Sequence, residues 1–156
     1  MRDQHKPHFS IELPDAEATR KLGERLATLL RAGDCLTLSG ELGAGKTTLV
    51  QGLAWGLGLP RTQYAPSPTY NVALTYPTTP LLHHIDLFRV GENAASLLGD
   101  AYFSDDAITV IEWPDRAISW LPSVRFEMRL EIAKLDQRRA EIFANQKELM
   151  ERLFRI

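Results

Sequence analysis

The chain has 156 residues, of which 44% are hydrophobic and 24% are charged, as in an average globular domain. This length predicts one domain with a hydrophobic core across residues 1–156, with a frayed polar start at 1–8. The formal net charge of −2 gives no basic surplus. Because phosphate neutralisation supplies most of the affinity for nucleic acids, this charge argues against a chain that holds RNA or DNA unaided.

Cysteine content and hydropathy argue against a disulfide-stabilised protein and against a secreted or membrane protein. The single cysteine, Cys35, cannot form an intramolecular disulfide, and we interpret it as a small buried side chain. The N-terminal residues lack the apolar core of a signal peptide, and no apolar stretch approaches the ~20 residues of a membrane span. We therefore expect a cytoplasmic protein without membrane contact.

The first half of the chain alternates strands and helices. A weak alternation at residues 8–13 predicts a short edge strand. Asp15 is a good N-cap for a helix that Gly33 ends as a C-cap glycine. Cys35–Ser39 is a short apolar strand, and residues 47–57 form the next helix. The leucines on one face of the first helix are Leu22, Leu26, Leu29 and Leu30.

The second half adds strands, and its order of elements predicts the fold class. Further strands are expected at residues 70–76, 81–88, 107–112, 126–132 (antiparallel) and 139–144, with helices at 91–99, after 114 and at the C-terminus. The expected fold is a single α/β domain. Its central sheet would be mostly parallel, with antiparallel strands added at one side and helices on both faces.

The strongest chemical signal is a complete Walker A pattern, Gly40-x-x-x-x-Gly45-Lys46-Thr47. An apolar strand precedes it and an amphipathic helix follows, as the motif requires. The expected α/β fold is therefore that of a single-domain P-loop NTPase. The glycines let successive backbone N–H groups turn towards a phosphate, and the positive end of the helix points at the same place. Lys46 would reach the β- and γ-phosphates of ATP, and the Thr47 hydroxyl would bind Mg²⁺.

A P-loop site also needs a carboxylate beside the metal, and two acids are candidates. Asp86 ends one predicted strand and Glu112 ends another. Because α/β sheets bind ligands beyond the carboxyl ends of their strands, both acids lie at the expected edge. One would hold magnesium, directly or through water, while the other orients the attacking water. The alternative for each is a solvated strand end.

Other residues near these motifs have weaker claims. His84 lies two residues before Asp86, so both side chains share a strand face, where His84 supports Asp86, contacts the nucleotide region or is merely structural. Thr69 lies in a Pro-bounded segment where many P-loop proteins have a switch loop, so that its hydroxyl either senses the γ-phosphate or belongs to an ordinary loop. Trp113 follows Glu112 and is either near the site or a hydrophobic anchor. Arg138 reaches the nucleotide or is simply solvated.

Taken together, these pieces resemble the TsaE (YjeE) family of bacterial ATPases, which serve tRNA threonylcarbamoyladenosine (t⁶A) synthesis. No short piece beyond Walker A is specific, but the ordered set is, and it covers nearly the whole chain. The matching segments are Leu13-Pro14-Asp15, Gly40 to Thr48, Ser67-Pro68-Thr69-Tyr70, His84-Ile85-Asp86-Leu87-Phe88-Arg89 and Glu112-Trp113-Pro114.

The resemblance implies an enzyme that binds ATP and Mg²⁺ and hydrolyses ATP slowly alone, as a monomer. It implies the TsaB–TsaD complex as partner, which transfers threonylcarbamoyl to adenosine 37 of tRNAs reading ANN codons. The present chain would support turnover without performing the transfer, and would meet tRNA only through that complex. By position, Thr47 and Glu112 would bind magnesium, Asp86 would act in catalysis and Trp113 would wall the site. The implied phosphate cradle is Leu42, Gly43, Ala44, Gly45, Lys46, Thr47 and Thr48.

Two departures from the family pattern and three rival functions stand beside this interpretation. Phe88 occupies a position where the family usually has tyrosine, and the helix after Arg89 carries one acid, Glu92, instead of a pair.

A small P-loop kinase would need an acceptor-binding insertion and an Arg-rich lid, and neither is evident. A nucleotide-dependent regulatory scaffold is disfavoured because both Asp86 and Glu112 are present. A GTPase is disfavoured because no Asn-Lys-x-Asp segment occurs.

Overall fold

The computed structural model describes residues 7–68, 71–90 and 98–155. The α-helices are α1 (Ala16–Leu29), α2 (Lys46–Gly56) and α3 (Lys147–Leu153), and 3₁₀ segments lie at Asp100–Phe103 and Pro114–Trp120. The strands are β1 (Phe9–Leu13), β2 (Cys35–Ser39), β3 (Ala73–Tyr76), β4 (Leu81–Asp86), β5 (Ala107–Glu112), β6 (Phe126–Ile132) and β7 (Arg138–Ala144). The expected helix at 91–99 falls mostly outside these described residues.

All seven strands form one mixed sheet in the order β1-β7-β6-β2-β5-β4-β3. The four central strands β6, β2, β5 and β4 run parallel, which confirms the predicted parallel centre. Antiparallel strands flank this centre on both sides, β7 and β1 at one end and β3 at the other. The prediction of antiparallel strands at one side only was therefore wrong.

The prediction that residues 126–132 form an antiparallel strand holds for only one neighbour of β6. It pairs antiparallel with β7, because a short turn joins the two, but it pairs parallel with β2. The 13-residue connection from Glu112 to Phe126 includes a 3₁₀ segment and is long enough to return the chain to the start of the sheet. The alternation of Phe126, Met128 and Leu130 identifies a half-buried strand but carries no information on its direction.

The two faces of the sheet are packed by different parts of the chain. Leu36 and Leu38 of β2 and Val110 of β5 share one core cluster with buried residues of all three α-helices. Cys35 and Ile111 point to the other face, where the 3₁₀ segments and their flanking aromatic residues cover them. Helical segments thus lie on both faces, α-helical on one and 3₁₀ on the other.

Helix α1 begins as predicted but ends differently. Asp15 is its N-cap, and one carboxylate oxygen accepts the Ala18 N–H at 2.7 Å. The helix ends at Leu29, with Leu30 as an extended C-cap whose N–H still bonds to Leu26. Gly33 lies three residues further on and its N–H bonds to Ala107, so the prediction of a C-cap glycine was wrong. Gly33, at φ +91°, instead turns the chain into β2.

Close packing of α1 on α2 positions the helix that follows the P-loop. A Cβ atom at Gly52 of α2 would lie 2.0 Å from the Arg20 carbonyl oxygen, and one at Gly23 of α1 would lie 2.2 Å from the Leu49 oxygen. These distances are too short for any side chain, so both glycines are required by the contact between backbones. The N-terminus of α2, which begins at Lys46, is therefore held firmly against the core.

The two ends of the described chain lie together. The His8 N–H donates to Ile142 at 2.9 Å, so hydrogen bonding to β7 already begins within the segment expected to be frayed. Leu149 and Leu153 of α3 are buried, whereas Phe154 is 73% exposed and meets the Phe9 ring edge-on, with 5.4 Å between the ring centroids. Within the described residues, no helix is long and apolar enough to cross a membrane.

Cys35 provides a test of this packing. Its side chain is 4% exposed, and burial raises the pKa of its thiol to about 12. Since the thiolate is the reactive form, we expect almost no reaction with a thiol reagent at pH 8 in the native protein and complete reaction in denaturant. Absorbance of the released chromophore measures both rates. Equal rates in the two conditions would contradict the placement of Cys35 beneath the 3₁₀ segments.

Candidate functional site

The Walker A segment connects the end of β2 to the start of α2. Gly40, Gly43 and Gly45 have φ values of +147°, +79° and +100°, a region that residues with a Cβ rarely adopt. Gly45 is also the N-cap of α2 and has no side chain to cap the helix. The free N–H groups of the first helical turn and the glycine-rich turn before it therefore form the kind of concavity that binds phosphate.

Lys46, the first residue of α2, folds back over the loop. Its Nζ atom donates to the carbonyl oxygens of Gly40 at 2.6 Å and Glu41 at 2.9 Å, and it lies 4.4 Å from the centre of the Trp113 ring. The side chain is buried, and this burial lowers the pKa of Lys46, an effect that the charges of Glu112 and Asp86 oppose. The ammonium group is thus held at the loop by neutral groups, two carbonyl oxygens and the face of an aromatic ring.

The rest of the predicted phosphate cradle is arranged around this lysine. Ala44 is fully buried, Thr47 and Thr48 are half-buried, and Leu42 is 66% exposed at the tip of the loop. Arg138, predicted in a turn, is the first residue of β7, and its Nε and Nη2 donate to the Gly43 oxygen at 3.2 and 3.0 Å. Arg138 therefore supports the loop, and its contact with a nucleotide stays a prediction.

The two candidate acids meet at one edge of the sheet. Asp86 is the last residue of β4 and Glu112 the last residue of β5, and they are direct neighbours in the parallel register. Each is only 3% exposed. β5 in turn lies beside β2, with Leu38 opposite Glu112, so the acids lie next to the start of the P-loop. Their interpretation as solvated strand ends is excluded by this burial.

Glu112 and Asp86 have different hydrogen-bond partners. The Oε1 atom of Glu112 accepts from the Thr47 hydroxyl at 3.4 Å and is 2.7 Å from His84 Nε2. Asp86 accepts from the Ser67 hydroxyl at 3.0 Å and from the Phe88 N–H at 2.8 Å. One acid is joined to α2 and the sheet, and the other is joined to the loop before β3.

His84 is the residue whose role sequence reasoning left most open. Both His84 and Asp86 lie on the α2 side of β4, as the two-residue spacing predicts. The hydrogen bond of His84, however, is made with Glu112 on the neighbouring strand β5. The expectation that it supports Asp86 is not met. The sequence contained no signal for the correct partner, because the pairing of β4 with β5 is a long-range property.

Trp113 forms a wall of the site. Its backbone is left-handed, at φ +58°, and its N–H bonds to the Leu38 oxygen at 3.2 Å. This turn directs the ring onto Lys46, with the Phe88 ring 4.9 Å away on centroids. Phe88, where the resembling family usually has tyrosine, thus packs against the wall through its ring. Thr69 and Tyr70 of the expected switch segment lie outside the described residues.

The oxygen donors near the loop fit a magnesium ion that is shared with a phosphate better than a metal ion held by protein side chains alone. The described residues contain no cluster of three or more His, Cys, Asp or Glu side chains that would enclose a metal ion. They do place the hydroxyl of Thr47 and the carboxylate of Glu112 together, both oxygen donors, at the edge of an anion-binding loop. Mg²⁺ prefers such oxygen ligands and typically takes the remainder from phosphates and water.

Comparison with known proteins identifies the family. The family model described as "Threonylcarbamoyl adenosine biosynthesis protein TsaE" matches residues 13–141. The chain belongs to the TsaE family. This confirms the resemblance inferred from the ordered motifs and connects the chain with the tRNA modification that the family description names.

Individual TsaE proteins agree with this assignment. The tRNA threonylcarbamoyladenosine biosynthesis protein TsaE of Streptomyces coelicolor is 42% identical over 120 residues, 73% of this chain and 79% of its own. The TsaE protein of Bacillus subtilis is 35% identical over 123 residues, 78% of this chain and 77% of its own. The crystal structure of Bacillus subtilis YdiB superposes with a TM-score of 0.80 at 30% identity, covering 94% of both chains.

Two loop glycines provide a matched test of the P-loop geometry. A Cβ at Gly40 would lie 2.4 Å from the Leu130 oxygen of β6, whereas one at Gly43 would meet nothing within 4 Å. Both positions have positive φ, so alanine is strained at either, by about 1–3 kcal/mol. We expect Gly40→Ala to melt several degrees below Gly43→Ala, since 1 kcal/mol shifts Tm by about 2–4 °C. Equal melting temperatures in calorimetry would contradict the close contact of the loop with β6.

Proposed function

We propose that the chain binds ATP with Mg²⁺ and hydrolyses it slowly as part of the t⁶A machinery. The observation that carries this proposal is the convergence of Lys46, Thr47, Asp86 and Glu112 at one end of the sheet, around a glycine-rich loop. A loop that binds phosphate supplies affinity for the nucleotide. Two buried acids beside it supply the means to bind a metal and to orient water.

Each residue has a role that its contacts support. The N–H groups of the loop and the Lys46 ammonium would bind the β- and γ-phosphates. Thr47 and Glu112 would hold magnesium, which neutralises the phosphate charge that develops during hydrolysis. Asp86 would orient the attacking water and accept its proton, with the Ser67 hydroxyl holding one carboxylate oxygen. Trp113 would close the site above Lys46.

The proposed partner is the TsaB–TsaD complex, with tRNA bound mainly by that complex. The names of the TsaE relatives place them in threonylcarbamoyladenosine biosynthesis, which requires a tRNA substrate. The net charge of −2 on this chain does not favour independent binding of RNA. Hydrolysis of ATP would therefore drive a change in the assembly, while the transfer of the threonylcarbamoyl group takes place on its partners.

A small kinase and a regulatory scaffold make different predictions. A kinase would consume ATP only together with its acceptor, and a scaffold would bind ATP without releasing phosphate. The presence of Asp86 as well as Glu112 at the loop favours hydrolysis over a pure scaffold. Both alternatives are separated from the proposal by measurements of phosphate release.

The first of these measurements compares the wild type with Lys46→Ala. We expect weak phosphate release from Mg·ATP by the wild type, a change in that rate on addition of purified TsaB–TsaD, and a loss of about 100-fold in the variant because the phosphate charge is no longer stabilised. Lys147→Ala, at the exposed start of α3, serves as the control. Turnover that ignores TsaB–TsaD would contradict the proposed partner, and turnover retained in Lys46→Ala would contradict the site.

The second measurement separates the two acids. We expect Glu112→Ala to raise the Mg²⁺ concentration needed for ATP binding by about tenfold or more, because a direct ligand is lost. Asp86→Ala should leave this binding nearly unchanged and lower hydrolysis by about 10²–10⁴. Calorimetric titration of a non-hydrolysable ATP analogue, with and without Mg²⁺, reports binding independently of turnover. Glu148→Ala, exposed on α3, is the control. The division of roles fails when both variants show the same pattern.

A further inference from the structure

The contact between His84 and Glu112 is among the most buried polar contacts of the described chain. The His84 imidazole is fully buried, Glu112 is 3% exposed, and His84 Nε2 lies 2.7 Å from Glu112 Oε1. Both residues come from the interior of a sheet, β4 for the histidine and β5 for the acid. A polar pair at this depth costs free energy of desolvation, and each partner is required to satisfy the other.

The chemistry of the two groups fixes the direction of the hydrogen bond. A glutamate that binds magnesium is ionised and only accepts, so in the proposed site Nε2 would carry the hydrogen and donate it to Glu112. The other ring nitrogen, Nδ1, is buried and has no partner among the described residues. The contact with the Glu112 carboxylate is therefore the hydrogen bond that the imidazole makes. The nearby Tyr76 hydroxyl is engaged elsewhere, donating to the Pro66 oxygen at 2.9 Å.

Glu112 Oε1, the atom that His84 contacts, also faces the hydroxyl of Thr47, the proposed metal ligand on α2. Glu112 Oε1 receives the Thr47 hydroxyl at 3.4 Å as well as the His84 N–H, which leaves Oε2 without a hydrogen bond to the described residues. A carboxylate has few preferred orientations once one oxygen is fixed by two donors from two different elements. The orientation of Glu112 is thus set by His84 from the neighbouring strand β4 and by Thr47 from helix α2.

We propose that His84 is a positioning residue for magnesium binding: its Nε2–H holds Glu112 in the orientation that binds the metal beside Thr47. The inference rests on the proposed function, since it assigns the support of the same site. It goes beyond packing, because a merely structural histidine would affect the stability of the fold but not the magnesium dependence of nucleotide binding in particular. Donors that orient a ligating carboxylate typically change metal affinity by 10–100-fold.

The test uses two substitutions at His84 and one at its neighbour. His84→Leu fills a similar volume without a donor, whereas His84→Gln retains an N–H near the position of Nε2. His83→Leu is the matched control, because His83 lies next in the same strand, on the opposite face, and bonds to Thr75 instead. For each protein, the affinity for a non-hydrolysable ATP analogue is measured by calorimetry across a range of Mg²⁺ concentrations and in EDTA. Thermal melting of each variant is recorded alongside.

The inference predicts a specific pattern. His84→Leu should need about tenfold more Mg²⁺ for half-maximal tight binding while its affinity in EDTA stays close to that of the wild type. His84→Gln should recover most of the loss, and His83→Leu should behave as the wild type. In a Glu112→Gln background, His84→Leu should cause no further change in magnesium dependence, because the group that it positions has already been altered.

A measurement on the unaltered protein covers the case in which His84→Leu does not fold. The chain has four histidines, so the imidazole ¹⁵N signals are few enough to assign through His84→Gln and His83→Leu. We expect the Nε2–H of His84 to be observed as a hydrogen-bond donor to Glu112. Adding Mg²⁺ to the nucleotide complex should shift its signals, with much smaller shifts at His83.

The outcomes that overturn the inference differ from those that overturn the proposed function. Normal magnesium dependence in His84→Leu, an equal loss in EDTA, or unchanged His84 signals on addition of Mg²⁺ would each refute the positioning role while the wild type binds Mg·ATP as proposed. A wild type whose nucleotide affinity is indifferent to Mg²⁺ would refute the proposed function, and the inference with it.

Discussion

The parallel pairing of β2, β5 and β4 is the constraint on which the site depends. Because the three strands run the same way and lie side by side, their carboxyl ends place the P-loop, Glu112 and Asp86 in sequence along one edge. Backbone hydrogen bonds continue past the strand ends, from Trp113 N–H to Leu38 and from Leu87 N–H to Glu112. These bonds extend the order of the sheet into the residues that carry the chemistry, which is why the ligand edge of an α/β sheet can be both precise and polar.

Charge balance explains how so polar an edge is tolerated in a buried place. Lys46, Asp86 and Glu112 are each at most 5% exposed. Burial alone lowers the pKa of the lysine, and the two carboxylates act in the opposite direction. The carbonyl oxygens of the loop and the face of the Trp113 ring complete the surroundings of the ammonium group. Removal of any one charge leaves the others less compensated, so the site is coupled to the stability of the sheet as well as to function.

Local signals in the sequence predicted most of the fold and the main groups of the site. The compact run Ala-Ile-Thr-Val-Ile-Glu of β5, the Walker A spacing and the N-cap at Asp15 are all properties of neighbouring residues. The structure confirms the buried strand, the strand–loop–helix context of the Walker A segment and the N-cap. What failed depends on distant pairing: antiparallel strands on both sides of the sheet, the parallel contact of β6, and His84 bonding to Glu112 instead of Asp86. The prediction that Gly33 caps α1 failed for the same kind of reason, since its N–H bonds to the distant Ala107 instead.

The two acids also differ in what holds them, and this difference bears on how a switch could work. Glu112 is bonded to α2 and, through His84, to the interior of β4, so its position follows the rigid part of the molecule. Asp86 accepts from Ser67, which belongs to the segment between α2 and β3. A rearrangement of that segment would alter the surroundings of Asp86 while leaving the bonds that orient Glu112 intact. The hydrogen bonds of the two acids therefore lead to different elements of the fold, so that under the proposed function metal binding and water activation would respond separately to a partner.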